Sequence, residues 1–454
     1  MKKFLLISAN TFCDPYPVYP LGVTYLQTYL QQKIPSLTVE IFDCNLSPLS
    51  KLSAIADNFD VIGISFRNID GANSLDAYTF LDKYREVVKT VRAAAADKPL
   101  IIGGAAFSLF PEVFMRELQA DYGIAGEGEE CLRKLFEALL GADSSTSSLS
   151  TIEGLYIRDK NNITVPHRNY LSSIHAQFDA ELANFYWKES GMLNIQTKRG
   201  CPYNCVYCSY PIIDGRKVRT LNPDEIVENL RQLKRDKGIS YVFFTDSIFN
   251  IHNEYNAVLA EKLAAANIGI SWGAYFSPSN LTPELLMLFK RSGLTHIEFG
   301  TESFSDRVLV SYGKNFDFES VLKTSEMALN AGIFYAHFLI LGGIGETEET
   351  LRETIEHSKQ IQYTVFFPFV GMRIYPHTRL QQLSIEDGLI SPDDTLLEPK
   401  YYLMKDFNLE AVRKSALATG KAWIFPDDKS NEEMMKLFRV KKNKKGPLWE
   451  YLRR

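Results

Sequence analysis

Residues 199–208 read Arg199-Gly-Cys201-Pro-Tyr-Asn-Cys205-Val-Tyr-Cys208, a CxxxCxxC run that puts three thiols within eight residues, directly after an apolar stretch at 193–197. Cysteines crowded this closely make poor disulfide spacing and good metal spacing. Three thiolates can hold three irons of a [4Fe-4S] cluster and leave the fourth iron open to an outside ligand. A closed structural zinc site would need four protein ligands, and no further cysteine or histidine stands at finger-like spacing. The other three cysteines, Cys13, Cys44 and Cys131, read as ordinary buried residues.

Outward from this loop the chain alternates apolar strands with helical patterns. Downstream, strands are expected at 193–197, 241–245, 270–275, 296–299, 334–341 and 365–370, with helical periodicity between them. Six such units suit a partial (β/α)6 barrel or an open parallel sheet, whose chemistry gathers at the carboxyl ends of the strands. Upstream, strands at 4–9, 39–43, 61–66, 100–102 and 122–124 alternate with helical patterns near 22–33, 48–57, 75–96, 110–119 and 128–140. Parallel neighbours need crossover helices, so these five units predict an N-terminal doubly wound parallel sheet. The fold class is therefore α/β twice over. The boundaries follow composition: a first domain over 1–141, a linker or bridge over 142–191 that opens on a small, polar stretch, a second domain over 192–375, and a C-terminal region over 376–454. Within the bridge a β-like piece at 154–165 is expected to turn at Asn161-Asn162.

Composition agrees. The 454 residues carry 50 Lys+Arg against 55 Asp+Glu, a formal net charge of −5, with 45% hydrophobic and 23% charged residues. These values exclude disordered and collagen-like classes, and offer no broad basic field for gripping a phosphate backbone, so stable nucleic-acid binding is not expected. The apolar start of the chain stops at Asn10, too short for a signal peptide, and no stretch reaches the roughly 20 apolar residues of a membrane span. A cytoplasmic protein is expected. The basic stretch 436–454, with Lys441, Lys442, Lys444, Lys445, Arg453 and Arg454 around Trp449 and Tyr451, reads as a solvated tail by default, with contact to an acidic partner or membrane surface as the alternative.

The cysteine loop, with aromatic Tyr207 just before its last cysteine, resembles the signature of the radical SAM superfamily, and the resemblance extends over about 192–375. It implies that Cys201, Cys205 and Cys208 hold a [4Fe-4S] cluster and that S-adenosyl-L-methionine (SAM) binds its open iron. Phe338-Leu-Ile-Leu-Gly342-Gly343-Ile-Gly345-Glu346-Thr347 is similar to the fifth-strand motif that backs onto adenine, and Gly300-Thr-Glu302-Ser303 to the family's turn near the ribose and methionine groups. Asp246 lies where many members present a polar residue, although the common Gly-Gly-Glu at that strand end is absent here. The resemblance thus places Tyr207, Asp246, Glu302, Gly342, Gly343 and Gly345 at SAM. The residues themselves leave other readings open: the glycines as a tight turn, and the two acids as helix caps. His296 and His337, inside apolar strands, read as core histidines. Arg373, after the sixth strand, reads either as an anion contact or as a surface ion pair.

The N-terminal half lacks GxGxxG and a Walker loop. Placed before a radical SAM core, it resembles the cobalamin-binding domain of B12-dependent radical SAM proteins. The matching pieces are Pro20-Leu-Gly22, Ser65, Gly103-Gly104 and Gly126-Glu127-Gly128-Glu129. No Asp-x-His-x-x-Gly is present to supply a lower cobalt ligand, and histidine-free binding is usual in this class. Cobalamin, SAM and a [4Fe-4S] cluster are thus the implied cofactors, and Ser65, Gly103, Gly104, Gly126, Glu127 and Gly128 the implied corrin contacts. The activity implied is a class B radical SAM methyltransferase: methyl transfer to an unactivated carbon by way of a 5′-deoxyadenosyl radical and methylcobalamin. The alternatives are a non-methylating radical rearrangement, cyclisation or oxidation, and a non-catalytic iron–sulfur module. The implied partners are a flavodoxin- or ferredoxin-like reductant and a small-molecule, lipid or peptide substrate. No catalytic side chain is singled out.

Overall fold

A computed structural model describes residues 2–13, 16–140, 149–158, 176–428, 433 and 445–453. The chain forms two compact units, one of residues 1–71, 78–189 and 212–215 and one of 72–77, 190–211 and 216–454.

The first unit is built on a six-stranded sheet. Its strands are β1 (Lys2–Ser8), β2 (Leu37–Asp43), β3 (Val61–Ser65), β4 (Leu100–Gly103), β5 (Tyr122–Ile124) and β6 (Leu155–Ile157). Their order is β2-β1-β3-β4-β5-β6, and all neighbours are parallel except the antiparallel β5–β6 pair. The order reverses between β1 and β3, the switch point at which doubly wound sheets open a crevice at their carboxyl ends. Burial explains the continuous apolar strands: Phe4, Leu6, Val39, Ile101 and Ile124 share one core with Leu132, Leu135 and Phe136 of the helix Glu129–Leu140. The β-like piece is thus partly β6, an edge strand of this sheet; the turn at Asn161-Asn162 and most of the polar linker lie outside the described residues.

The second unit carries β7 (Leu193–Ile195), β8 (Lys198–Arg199), β9 (Arg219–Thr220), β10 (Tyr241–Phe244), β11 (Ser271–Phe276), β12 (Leu294–Glu302), β13 (Phe334–Leu341), β14 (Val365–Val370), β15 (Met372–Arg373), β16 (Tyr401–Tyr402) and β17 (Ala422–Trp423). Seven of them form one parallel sheet in the order β17-β14-β13-β12-β11-β10-β7, so consecutive strands are neighbours joined by crossover helices, the arrangement of an incomplete barrel. The helices start and stop where their sequence says. Asn222 caps Pro223–Lys237 by accepting from Asp224 N–H at 2.9 Å, and Gly238 ends it in the left-handed conformation. Thr347 and Thr350 form a reciprocal cap that opens Glu348–Ser358. Helices pack against one face: Trp272 meets Phe289 of Pro283–Arg291, and His337 meets Ser325 of Phe318–Asn330.

The C-terminal region departs from expectation. β17 joins the sheet edge, and the segment expected as a solvated tail is, in its described part, core. Trp449 is 5% exposed and clusters with Ala336, Val365 and Ala422, while its Nε1 donates to Glu298 Oε1 at 3.0 Å. Glu450 reaches His296 Nε2 at 2.8 Å, and the Arg453 guanidinium sits 4.0 Å from the Phe334 ring centre. The aromatic anchors overrode the charge pattern, because burying an indole returns about 1.5–3 kcal/mol or more in a site that also satisfies its N–H. Of the basic residues, Lys441, Lys442, Lys444 and Arg454 lie outside the described residues.

Candidate active site

The cysteine loop hangs between β8 and β9, a two-residue antiparallel ladder that closes its base. It is pinned from beneath: Val206 N–H donates to Tyr312 O at 3.1 Å, Leu380 N–H to Val206 O at 2.8 Å, and Cys208 N–H to Cys205 O at 3.2 Å. Gly313, at φ 74°, lies so close that a Cβ there would sit 2.6 Å from Asn204 O. Cys201 is buried, Cys205 and Cys208 half-buried, and no disulfide ties up any of them. Burial pushes the Cys201 thiol up and the Cys208 thiol up to about 12. Thiols gathered out of water ionise only against a nearby cation, so this donor set fits an iron cluster. Among the described residues no three His, Cys, Asp or Glu side chains are spaced to share one metal ion. A [4Fe-4S] cluster asks for a different arrangement, each thiolate on its own iron.

Beside the loop stands a trio that brings two expected residues together with one that sequence reasoning missed. Tyr207 Oη donates to Glu302 Oε1 at 2.7 Å, and Lys314 Nζ reaches the same oxygen at 3.2 Å while lying 5.5 Å from the Tyr207 ring centre. Lys314 also donates to Gly300 O at 3.3 Å. Burial opposes its charge, but Glu302, Cys205 and Cys208 outweigh that and hold its pKa above the ordinary lysine value. Glu302 adopts φ 69°, a left-handed conformation that an acid rarely takes, at the irregularity where β12 leaves its register with β13. Lys314 belongs to no motif; the only hint in the sequence is Gly313 before it.

Asp246 sits elsewhere in the network. Fully buried, its Oδ1 accepts Thr197 N–H at 2.7 Å and Lys198 N–H at 3.1 Å, and its Oδ2 accepts Thr197 Oγ1 at 2.5 Å and Lys198 Nζ at 2.7 Å. Both oxygens, expected at SAM, are already engaged in anchoring the chain that leads into Cys201. Burial drives the Lys198 ammonium down in pKa, with Asp246 working against it.

The Gly342–Gly345 turn follows β13 as expected, and each glycine has a local cause. A Cβ on Gly342 would lie 2.6 Å from Leu403 Cδ1, one on Gly343 would collide with Tyr312 Oη, and one on Gly345 would lie 2.7 Å from Ser311 Oγ. Glu346 folds back to accept Gly342 N–H, and burial raises its pKa to about 8. Its Oε1 is buried without a hydrogen-bond partner among the described residues. The core histidines are as expected: His296 bonds Tyr241, Thr295 and Glu450, and His337 bonds Thr301 and Ser325, with burial lowering its pKa to about 3. Arg373 is not at the surface as an exposed ion pair; it is buried and donates to Ile374 O at 2.5 Å and Leu396 O at 2.8 Å.

In the first unit Ser65, Gly103 and the Gly126–Gly128 turn come together at the carboxyl ends of the adjacent strands β3, β4 and β5. Gly104, at φ 97°, packs on Phe66, whose carbonyl oxygen would lie 2.5 Å from a Cβ there. Gly126 N–H donates to Ser108 Oγ at 2.8 Å, and Ser108 donates on to Gly104 O at 2.8 Å. This edge presents backbone with few side chains, the surface a flat corrin needs. Asn10, after β1 beside the switch point, is 4% exposed, and its Oδ1 has no hydrogen-bond partner among the described residues. An orphaned acceptor at this crevice fits a polar-rimmed ligand.

Comparison with known proteins agrees with both units. Residues 195–357 match the radical SAM superfamily and residues 7–136 the B12 binding domain. An uncharacterized methyltransferase of Pyrococcus horikoshii is 25% identical over 413 residues, covering 87% of this chain and 85% of the relative. The tryptophan 2-C-methyltransferase of Streptomyces laurentii is 22% identical over 396 residues, covering 72% of this chain and 65% of the relative. Among solved structures, the radical SAM methyltransferase TsrM of Kitasatospora setae superimposes with a TM-score of 0.86 at 18% identity, over 99% of this chain and 97% of that one. The cobalamin-dependent radical enzyme OxsB gives 0.69 at 16%, over 98% and 67%. The chain therefore carries a radical SAM domain preceded by a B12-binding domain, the domains of an enzyme that uses a [4Fe-4S] cluster, SAM and cobalamin. That class replaces the non-catalytic iron–sulfur module as a reading of the three cysteines. Among the described residues no helix is long and apolar enough to cross a membrane.

Proposed function

We propose that this protein transfers a methyl group to an unactivated carbon of a small molecule, as a cobalamin-dependent radical SAM methyltransferase. The observation that carries the reading is the presence on one chain of both domains, aligned over 87% of its length with a protein named as a methyltransferase. When bound, the cofactors supply a carbon-centred radical from SAM and a methyl carrier in cobalamin.

The chain's own residues have the following parts. Cys201, Cys205 and Cys208 hold the cluster, and Asp246 with Lys198 keeps the approach to Cys201 in place. Tyr207 and Lys314 fix Glu302 through one oxygen, Oε1, and so orient the other toward the cofactor side. The Gly342–Gly345 turn offers SAM a close backbone, and Ser65, Gly103, Gly104, Gly126, Glu127 and Gly128 do the same for the corrin. The domain limits 1–141, 142–191, 192–375 and 376–454 belong to this reading. So do a flavodoxin- or ferredoxin-like reductant, a cytoplasmic location and the lack of stable nucleic-acid binding.

A second reading, a radical reaction without methyl transfer, draws support from a relative named anaerobic magnesium-protoporphyrin IX monomethyl ester cyclase, 25% identical over 59% of this chain. Anaerobic reconstitution with iron, sulfide and hydroxocobalamin, followed by elemental analysis, is expected to return about four irons and one cobalt per chain. Iron without cobalt would remove the methyltransferase reading. With both metals bound, a product carrying label from methyl-deuterated SAM separates the two.

A further inference from the structure

At the amino ends of β4 and β5 the first unit opens a cavity of about 790 Å³, a size that takes a small molecule. Its walls come from separate segments of that unit: the helix Leu81–Ala94, the loop into β4, the end of the helix Pro111–Leu118, and Arg158 after β6. The edge given to the corrin lies at the carboxyl ends of the same parallel strands. Cavity and corrin edge are thus opposite ends of one sheet, about 10 Å apart along the four residues of β4.

Charge gathers here against the trend of the chain. The whole chain has a net charge of −5, yet five basic side chains line this cavity: Arg85, Lys89, Arg92, Lys98 and Arg158. Three acids, Asp97, Glu117 and Asp121, share the lining and leave an excess of two positive charges. Asp121 holds two of the guanidiniums. Its Oδ2 accepts Arg92 Nη2 at 2.9 Å and Leu100 N–H at 2.8 Å, and its Oδ1 lies 3.2 Å from Arg158 Nη2. Arg92 also donates to Lys98 O at 3.1 Å, and Arg158 Nε to Ala120 O at 3.1 Å. These forks are therefore ordered before anything binds, which spares a ligand the cost of fixing them. Two more acids reach the basic groups from outside, Asp82 at 2.9 Å from Arg85 and Asp57 at 3.7 Å from Lys98. Their side chains are 88% and 72% exposed, and water screens them. Lys89 has no partner among the described residues, and Arg158 makes its contacts through Nε and Nη2, leaving Nη1. Apart from Gln119, the rest of the lining is apolar or aromatic: Val88 and Leu118 are buried, Pro99 and Tyr122 half-buried.

We propose that this cavity binds a phosphate-bearing small molecule with an apolar ring, the chemistry of a nucleotide, its phosphates on Arg85, Lys89 and Arg158 and its ring on Val88, Pro99 and Tyr122. A phosphate group carries about −1.5 to −2 charges near neutral pH and so matches the excess, whereas a single carboxylate would leave half of it uncompensated. Guanidinium forks suit phosphate oxygens in geometry as well as charge. A bare phosphate would leave the apolar lining wet, and a bare ring would leave the charge unmet. The inference goes beyond methyl transfer and does not depend on it, since every residue it uses lies at the far end of the first sheet from the corrin edge.

ADP, adenosine and pyrophosphate separate the terms. Equilibrium dialysis uses the full-length protein, reconstituted anaerobically with iron, sulfide and hydroxocobalamin and saturated with S-adenosylhomocysteine, so that the cofactor's own adenosine site is already filled. ADP is expected to bind about tenfold more tightly than either fragment. Lys89→Ala removes an unpartnered ammonium from an exposed helix position and should weaken ADP about fivefold while leaving adenosine within about twofold. Arg158→Gln should weaken ADP by about the same factor or more. Because Arg158 also ties down the strand ends, Lys89→Ala, which breaks no described contact, decides the matter if that variant fails to fold. No uptake of ADP at about 1 mM, equal affinities for ADP and adenosine, pyrophosphate binding as tightly as ADP, or ADP binding untouched by Lys89→Ala would overturn the proposal.

Discussion

Lys314 offers the sharpest test of how the site is held. Its side chain is 7% exposed and that of Glu302 13%, their charges are 3.2 Å apart, and Tyr207 shares the carboxylate oxygen. Lys314→Met keeps the length of the side chain and removes the charge, stranding a carboxylate out of water. Breaking a buried pair from one side costs about 3–5 kcal/mol. Glu302→Gln retains an acceptor for Tyr207, and the double variant leaves no stranded charge, so the two losses should fall short of additive by about 1.5 kcal/mol or more. Urea unfolding under reducing conditions, followed by tryptophan fluorescence, suits the measurement. Trp272, Trp423 and Trp449 are buried in the second unit and only Trp187 belongs to the first, so the signal reports the unit in question. A loss of this size should lower the midpoint by about 1 M or more. If Lys314→Met costs under about 1 kcal/mol, or the variants add to within about 0.5 kcal/mol, the pair is not the buried strut described above.

Other consequences can be measured on the same protein. Glu346 and Glu298 have folded pKa values raised to about 8 and about 7 by burial, so the folded state holds protons that the unfolded chain has released. The stability they support is complete below the unfolded carboxylate pKa of about 4.3 and falls as pH rises through the folded values, by about 1.4 kcal/mol per pH unit for each group. Glu346→Gln should flatten the part of that decline lying between about pH 7 and 8, and an unchanged pH profile would contradict the assignment. Gly343→Ala forces a methyl onto Tyr312 Oη and should destabilise the second unit by about 1–3 kcal/mol, whereas Gly300→Ala, with open space above it, should cost under about 1 kcal/mol in the same urea assay. Trp449→Ala should cost about 3–5 kcal/mol by emptying the pocket over Ala336 and Val365, while a cost near zero would return the C-terminal segment to the solvated tail that its charge suggests.

Much of this architecture was legible in one dimension. Strand and helix periodicity is a local property, and β1 through β5 and the six crossover strands from β7 to β14 fall within a few residues of where the alternation puts them, because each apolar run is long enough to be read alone. Tyr207 and Glu302 were singled out because each stands beside a recognisable motif. Lys314 was not, since its meaning depends on a fold that brings position 314 against 207 and 302, and no local pattern encodes that approach. Asp246 shows the converse. Its place after β10 was read correctly as a strand end, yet the direction of its carboxylate is decided by Thr197 and Lys198, which reach it across the sheet from beyond β7.

What the sequence by itself determined is the chemistry on offer: three thiols in eight residues, glycine turns at strand ends, and two parallel α/β patterns in series. Those follow from spacing and residue type, which need no partner elsewhere in the chain. Only the tertiary structure decided which charges meet, that the basic C-terminal stretch folds in on its tryptophan, and that basic side chains from separate segments of the first unit gather around one cavity. Such facts belong to pairs of residues far apart in the chain, such as Glu298 and Trp449, and the energy of a buried contact exists only once both partners have left water.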